Sequence, residues 1–261
     1  MNNTILSLNN IVMRFGGLVA VNNINMAIKR GTITGLIGPN GAGKTTVFNM
    51  ISGFYAPTSG TILFDGKKVF SGAPPYIICR HHIARTFQNI RLFSGLTVLQ
   101  NVMVGAHVRQ KYPWFSSALF FPKAMKEKKE VHKNSMELLE RLQLDHLANQ
   151  SAMTLPYGVQ RRLEIARALA TKPKLLLLDE PAAGMNPQES EDLRKFIAKV
   201  QKDFDLTILL IEHDMKVVMG LCQYILVMEY GCCIANGTPD EVRNDPKVIE
   251  AYLGGDVYGY S

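Results

Sequence analysis

Polar and apolar residues alternate through the first thirty positions, in "ILSLNNIVMRF" and again in "VAVNNINMAI". A period of two puts successive side chains on opposite faces, so these segments predict antiparallel strands. The texture then changes. "GTITGLIG" is a short β-branched, apolar run, and glycines and a helix-like "TTVFNMISG" follow it; this predicts strand, loop and helix. "TSGTILFDGKKV" predicts a hairpin that turns at Asp65-Gly66.

From about Leu96 to Leu147 the strand pattern disappears. "EVHKNSMELLERLQL" carries apolar residues at helical spacing, which predicts a helical insertion. "KPKLLLLDEP" and "LTILLIEHD" are near-continuous apolar runs, suited to a parallel sheet covered on both faces. Between them "QESEDLRKFIAKVQKDF" predicts an amphipathic helix, and the stretch from about Gly237 predicts short helix and loop. No internal repeat or low-complexity linker is visible. The fold class expected is α/β, with an N-terminal antiparallel β-subdomain, a phosphate-loop core and an inserted α-helical subdomain. Residues 1–261 are expected to form a single domain. In it, 1–90 and 165–236 make the β-subdomain and core, 91–164 the helical subdomain, and 237–261 a C-terminal tail.

Composition narrows the choice. A hydrophobic content of 47% over 261 residues supports a packed core and excludes extensive disorder. The formal charge of +7 suits an anionic partner: a nucleotide, a nucleic acid or lipid headgroups. The four cysteines, Cys79, Cys222, Cys232 and Cys233, form no C-x-x-C pair, and "CRHH" at 79–82 fits no common metal spacing. "MNNTILSLNNIVMRF" has no basic start followed by an apolar block, so no secretory signal is expected. No apolar run approaches the ~20 residues that span a bilayer. The nearest, "YPWFSSALFFP" at 112–122, is short and bounded by proline. With the lysine-rich "KAMKEKKEVHK" after it, it suggests contact with headgroups or a membrane subunit, or a solvated helix face.

Three stretches carry chemistry. "GPNGAGKT", Gly38 to Thr45, has the spacing G-x-x-x-x-G-K-[ST]. Glycines at those positions let backbone N–H groups turn inward around phosphate oxygens, and the following helix adds its positive end. Lys44 reaches phosphates as a point charge, and Thr45 offers a hydroxyl to Mg²⁺. "LLLLDEP" ends a buried strand in Asp179 and Glu180, one suited to hold Mg²⁺ and the other to polarise an attacking water. A helix-capping acidic pair is the alternative. "LTILLIEHD" ends in Glu212, His213 and Asp214; in a parallel sheet these sit beside the other two motifs, where such sheets bind ligands. Gln88, at the entry to the helical insertion, is either a Mg²⁺ or water ligand or an ordinary loop residue. Phe15 either stacks on a base or belongs to the core.

In this order the motifs resemble the ATP-binding subunits of ABC transporters, over nearly the whole chain. The resemblance implies a RecA-like P-loop NTPase core and ATP and Mg²⁺ as cofactors. Phe15 would stack on adenine. The Walker A loop would be Gly38, Pro39, Asn40, Gly41, Ala42, Gly43, Lys44 and Thr45, with Thr46 beside it. Gln88, Glu180 and His213 would be the catalytic set, and Thr45, Gln88 and Asp179 the Mg²⁺ ligands. "RRLEIARALATKPKLLLLDEPAAGMNP", "ILLIEHDMKVVMG" and "ANGTPDEVRNDPKVIEAYLG" narrow the resemblance to ATPases of branched-chain amino acid importers, whose relatives serve urea uptake and lipopolysaccharide export. The implied partners are integral membrane permease subunits, a second ATPase subunit (copy or paralogue) and, indirectly, a substrate-binding protein; nucleic acid is not expected. The implied location is cytoplasmic, on the inner face of the plasma membrane.

The signature that, by this resemblance, would face the partner subunit's ATP is altered. In "LPYGVQ", Leu155 and Gly158 keep their places, while Pro156 replaces serine, Tyr157 the first glycine and Val159 glutamine. Pro156 supplies neither hydroxyl nor N–H, so one charge-assisted hydrogen bond, about 1.5–3 kcal/mol, is lost. Proline is tolerated in a first helical turn, the N–H groups of Tyr157 and Gly158 remain, and Arg161 and Arg162 are expected to add positive charge nearby. A weakened but competent contact follows. In "AAGMN" Asn186 stands where the D-loop aspartate is usual. The rivals are a soluble ABC-type regulator acting on nucleic acid, which usually needs two ATPase units or a long coiled coil, and a pseudo-ATPase, against which Lys44, Asp179, Glu180 and His213 argue.

Overall fold

The alternating N-terminal segments pair as predicted. In the computed structural model, which describes residues 3–68, 72–109 and 122–257, β1 (Thr4–Phe15) and β2 (Leu18–Lys29) run antiparallel. They form a four-stranded sheet of order β2-β1-β4-β5 with β4 (Ser59–Phe64) and β5 (Lys67–Lys68). Asp65 (φ 52°) and Gly66 (φ 73°) make the two-residue turn between β4 and β5. Positive φ at both turn residues matches the twist of a tight hairpin, and that is why Asp-Gly marks it in the sequence.

A second sheet has the order β10-β9-β3-β8-β7-β6. Its parallel strands are β3 (Ile33–Ile37), β6 (Ile83–Arg85), β7 (Leu175–Asp179), β8 (Thr207–Ile211) and β9 (Tyr224–Glu229); β10 (Cys232–Gly237) returns antiparallel to β9. Every residue of β3, β7 and β8 is buried. Leu176 and Leu178 join one apolar cluster and Leu175 and Leu177 the other, so both faces of the sheet are covered. Each such leucine stabilises the fold by about 1.5–3 kcal/mol. Continuous leucine is the consequence in sequence.

One cluster lies between this sheet, the small sheet and α1 (Lys44–Ile51), with Val47, Phe48 and Ile51 fully buried. The other lies under the remaining helices. It takes in Val98 and Val102 of α3 (Val98–Ala106), Leu139 of α4 (Pro122–Arg141), and Leu163 and Ile165 of α5 (Tyr157–Ala170). It also takes in Leu193 and Ile197 of α6 (Pro187–Asp203) and Val218 of α7 (Met215–Leu221). The short α2 (Pro75–Arg80) precedes β6, and α8 (Pro239–Arg243) and α9 (Pro246–Val257) follow β10. Lys126, Lys128, Lys129 and Lys133 are exposed on α4, a solvated face. The aromatic stretch before it, 112–121, lies outside the described residues. Among the described residues no helix is long and apolar enough to cross a membrane.

Candidate functional site

Strand order decides which motifs meet. β8 lies between β3 and β7, so the segments leaving the ends of all three emerge side by side. Ligands bind at that edge of an open parallel sheet.

The loop from Gly38 to Gly43 leaves β3 and opens α1. Gly38 (φ 145°) and Gly43 (φ 97°) hold backbone conformations that other residues rarely adopt. A Cβ at Gly38 would stand 1.9 Å from the Met228 carbonyl oxygen, and one at Gly43 2.5 Å from that of Ala20. The loop therefore needs glycine for close approach as well as for φ. No side chain caps α1, so its N-terminal dipole faces the loop unopposed. Lys44 is buried and donates to the carbonyls of Gly38 (2.7 Å) and Pro39 (2.8 Å). Burial pulls its ammonium below the usual lysine range, and the charges of Glu180 and Asp179 oppose that. Asn40, Gly41 and Thr45 are exposed, Ala42 is buried, and Thr46 is half-buried.

Glu180, Gln88 and His213 come together. Gln88 Nε2 donates to Glu180 Oε2 at 2.8 Å, and His213 Nδ1 stands 3.7 Å from the same oxygen. Glu180 has φ 45° and donates its N–H to the Ile211 carbonyl at 2.9 Å, which pins the exit of β7 to β8. Phe15, at the end of β1, is 42% exposed and meets Tyr55 edge to face at 5.3 Å. It is not a core residue, and its ring is open to stacking.

Three charged residues whose packing partners the sequence did not show organise this edge. Arg85 on β6 donates to Asp179 Oδ2 (2.7 Å), Asn49 Oδ1 (2.7 Å) and Ser52 Oγ (2.9 Å), with the rings of Phe48, Phe54 and Phe87 within 5.2–5.7 Å of its guanidinium carbon. Glu212, fully buried, accepts from the N–H groups of Ala182 (2.8 Å) and His213 (3.1 Å), and so joins the segment after Glu180 to the segment carrying His213. Burial pushes its carboxyl above the usual range, although those N–H groups oppose the shift. The third is Arg161. It and Arg162 do not form a free positive patch. Arg161 is fully buried against Glu164 and the carbonyls of Phe87 and Gln88, and Arg162 lies over the Phe196 ring at 5.3 Å. The available signal was a charge at the helical spacing of Ile165 and Ala168, on the buried face of α5.

The signature turn is regular. Pro156 is the N-cap of α5 (φ −55°, ψ 150°), one place before the first helical turn expected for it, and its carbonyl accepts from Val159 and Gln160. Leu155 is buried, and Val159 packs against the core. The Tyr157 hydroxyl donates to the Ala183 carbonyl at 3.1 Å. Nothing lies within 4 Å of a Cβ built on Gly158. Within the chain, then, packing does not require glycine there. Asn186 is the N-cap of α6, in a reciprocal capping box with Glu189.

Asp179, Thr45 and Gln88 offer a carboxylate, a hydroxyl and an amide oxygen, all hard donors that fit Mg²⁺. Asp179 keeps one oxygen on Arg85. Among the described residues no group of three or more His, Cys, Asp and Glu could cage a metal. A cation shared with substrate phosphates needs no such cage.

The chain is similar to known proteins over nearly its whole length. The family model described as ABC transporter matches residues 21–183, and that described as branched-chain amino acid ATP-binding cassette transporter matches 232–258. The high-affinity branched-chain amino acid transport ATP-binding protein LivG of Escherichia coli K12 is 49% identical over 254 residues, 97% of this chain and 99% of that protein. Its counterpart BraF of Pseudomonas aeruginosa is 46% identical over the same shares. Among solved structures, a nucleotide-free ATP-binding cassette of an ABC transporter superposes with TM-score 0.82 at 33% identity, covering 95% of this chain and 98% of that one. The ADP conformation of such a cassette gives 0.83 at 33% identity, covering 96% and 99%.

Proposed function

The chain belongs to the ABC transporter family of ATP-hydrolysing subunits, and from that premise we propose that it powers a membrane importer for branched-chain amino acids. The observation that carries the cargo is the full-length similarity to branched-chain amino acid ATPases, since no residue of this chain would touch the amino acid. ATPases for urea uptake or lipopolysaccharide export are the alternative within the family.

In our reading ATP lies along the glycine loop, Gly38 to Thr46, with adenine on Phe15. Lys44 exchanges the carbonyls of Gly38 and Pro39 for phosphate oxygens, a move its flexible stem permits. Asp179, Thr45 and Gln88 hold Mg²⁺, which supplies charge neutralisation on the phosphates. Glu180 takes the proton of the attacking water, released by Gln88 from their 2.8 Å bond. His213, already beside Glu180, reaches the γ-phosphate.

A second ATPase subunit, copy or paralogue, closes over that ATP with Leu155, Tyr157 and Gly158, and the segment with Asn186 lines the contact. The open space over Gly158 supports this: a side chain is missing where only a neighbour needs room. Closure by ATP and reopening by hydrolysis is a population shift between two states. We propose 91–164 as the helical subdomain that carries the movement. A cavity of about 670 Å³, lined by Phe54, Phe87, Arg91, Phe93 and Arg167, has the residue before Gln88 in its wall and suits a cytoplasmic element of the permease. In this reading the chain works on the inner face of the plasma membrane, with a substrate-binding protein reached only through the permease.

Uptake of labelled leucine, isoleucine and valine by cells of the source organism, with and without this chain, tests the cargo. Loss of all three with urea uptake intact is expected. Intact uptake of all three overturns the assignment.

A further inference from the structure

Arg161 joins three parts of the site through one side chain. Its Nη1 donates to the Phe87 carbonyl (2.7 Å) and to Glu164 Oε2 (2.8 Å). Its Nη2 donates to the Gln88 carbonyl (2.6 Å) and lies 3.2 Å from the Tyr157 hydroxyl oxygen. The Tyr157 hydroxyl in turn donates a hydrogen bond to the Ala183 carbonyl. Glu164 closes the set by accepting from the Arg91 N–H at 3.2 Å. The signature turn, the backbone of Gln88 and the segment after Glu180 thus share one network.

We propose that Arg161 is a positioning residue that makes Gln88 and the N-terminal turn of α5 move as one unit. The state of the ATP in this subunit is thereby passed to the turn that faces the neighbouring subunit's ATP. The physical reason is the cost of separation. The guanidinium is fully buried, and buried donors left without acceptors are expensive. Its rigid fork holds two successive carbonyls at once, which a lysine ammonium cannot do with the same geometry. Any displacement of Gln88 is therefore cheaper if α5 follows. Tyr157 makes the signature tyrosine a part of this link, with its hydroxyl on the chain's own backbone. The inference rests on the ATPase reading of Gln88.

Hydrogen exchange of the full chain tests it, with and without a non-hydrolysable ATP analogue and Mg²⁺. The chain is kept at a concentration where sedimentation shows monomer, and analogue affinity is measured in the same samples. In the wild type, binding should change exchange in 86–92 and in 157–163 together, by about threefold or more. Arg161→Lys and the charge-balanced Arg161→Met/Glu164→Leu should bind the analogue within about threefold of wild type. They should keep the response of 86–92 and lose most of that of 157–163. If the double variant does not fold, Arg161→Lys decides alone. A 157–163 response unchanged in the Arg161 variants, or absent in a wild type that binds the analogue, overturns the proposal. A wild type that binds no analogue overturns the ATPase reading and the inference with it.

Discussion

Replacing Arg85 with methionine removes one half of a buried ion pair and leaves the shape roughly filled. Arg85 and Asp179 have side chains only 7% and 8% exposed and meet at 2.7 Å. Removing one partner of such a pair costs about 3–5 kcal/mol, because the other charge stays buried and unmatched. Arg85 also satisfies Asn49 on α1 and Ser52, the residue that caps its C-terminus, which water can reach only in part. Methionine keeps the contact with the three phenylalanine rings, so the loss falls at the lower end, about 3 kcal/mol. With a urea slope near 3 kcal/mol/M for a chain of this size, the unfolding midpoint drops by about 1 M. Asp179→Asn alone should also destabilise. The double variant should cost less than the sum by about 2 kcal/mol, since each single change leaves a group stranded that the double does not. Urea unfolding of the nucleotide-free chain, followed by far-UV circular dichroism, measures all four corners of the cycle. A loss under about 1 kcal/mol for Arg85→Met, or strict additivity in the double, would refute the reasoning.

Two glycines should behave oppositely. Gly38→Ala puts a Cβ 1.9 Å from a backbone oxygen at φ 145° and should destabilise by about 3 kcal/mol or more, with ATP binding lost. Gly158→Ala should leave the unfolding free energy within about 0.5 kcal/mol of wild type and still lower the ATPase rate, which an unfolding curve and a phosphate-release assay read side by side. Glu212 gives a pH signature: burial raises its folded-state pKa, so its contribution is fully present below the unfolded value near 4.3 and is lost as pH rises through the folded one. Unfolding free energies across pH 4–8 should therefore show the wild type losing stability relative to Glu212→Gln as pH rises, and a flat difference would contradict this.

Patterns of one residue type were the legible part. The leucine runs of β7 and β8, the Asp65-Gly66 turn and the spacing of Gly38, Gly43 and Lys44 each follow from a local rule, and the structure forms each where the rule puts it. β9 and β10 were not marked in advance, because "YILVMEYGCCIANG" mixes both periods and its tyrosine-glycine turn is not a common one. The roles of Arg85, Arg161 and Glu212 were not legible because they depend on hydrogen-bond partners 94, 73 and 30 residues away in sequence. A charge on a buried face announces that a partner exists and not which one. Tyr157 read as a damaged contact; in the folded chain its hydroxyl holds the Ala183 carbonyl, and Val159 serves the core.

The central claim is that Glu180, released by Gln88, activates the water that cleaves ATP. ATP turnover by the transporter purified through this chain, compared between wild type and Glu180→Gln, tests it most directly. The variant should bind ATP with little change and turn it over at least about 100-fold more slowly, the loss of a general base. Turnover of Glu180→Gln within a few-fold of wild type would contradict it.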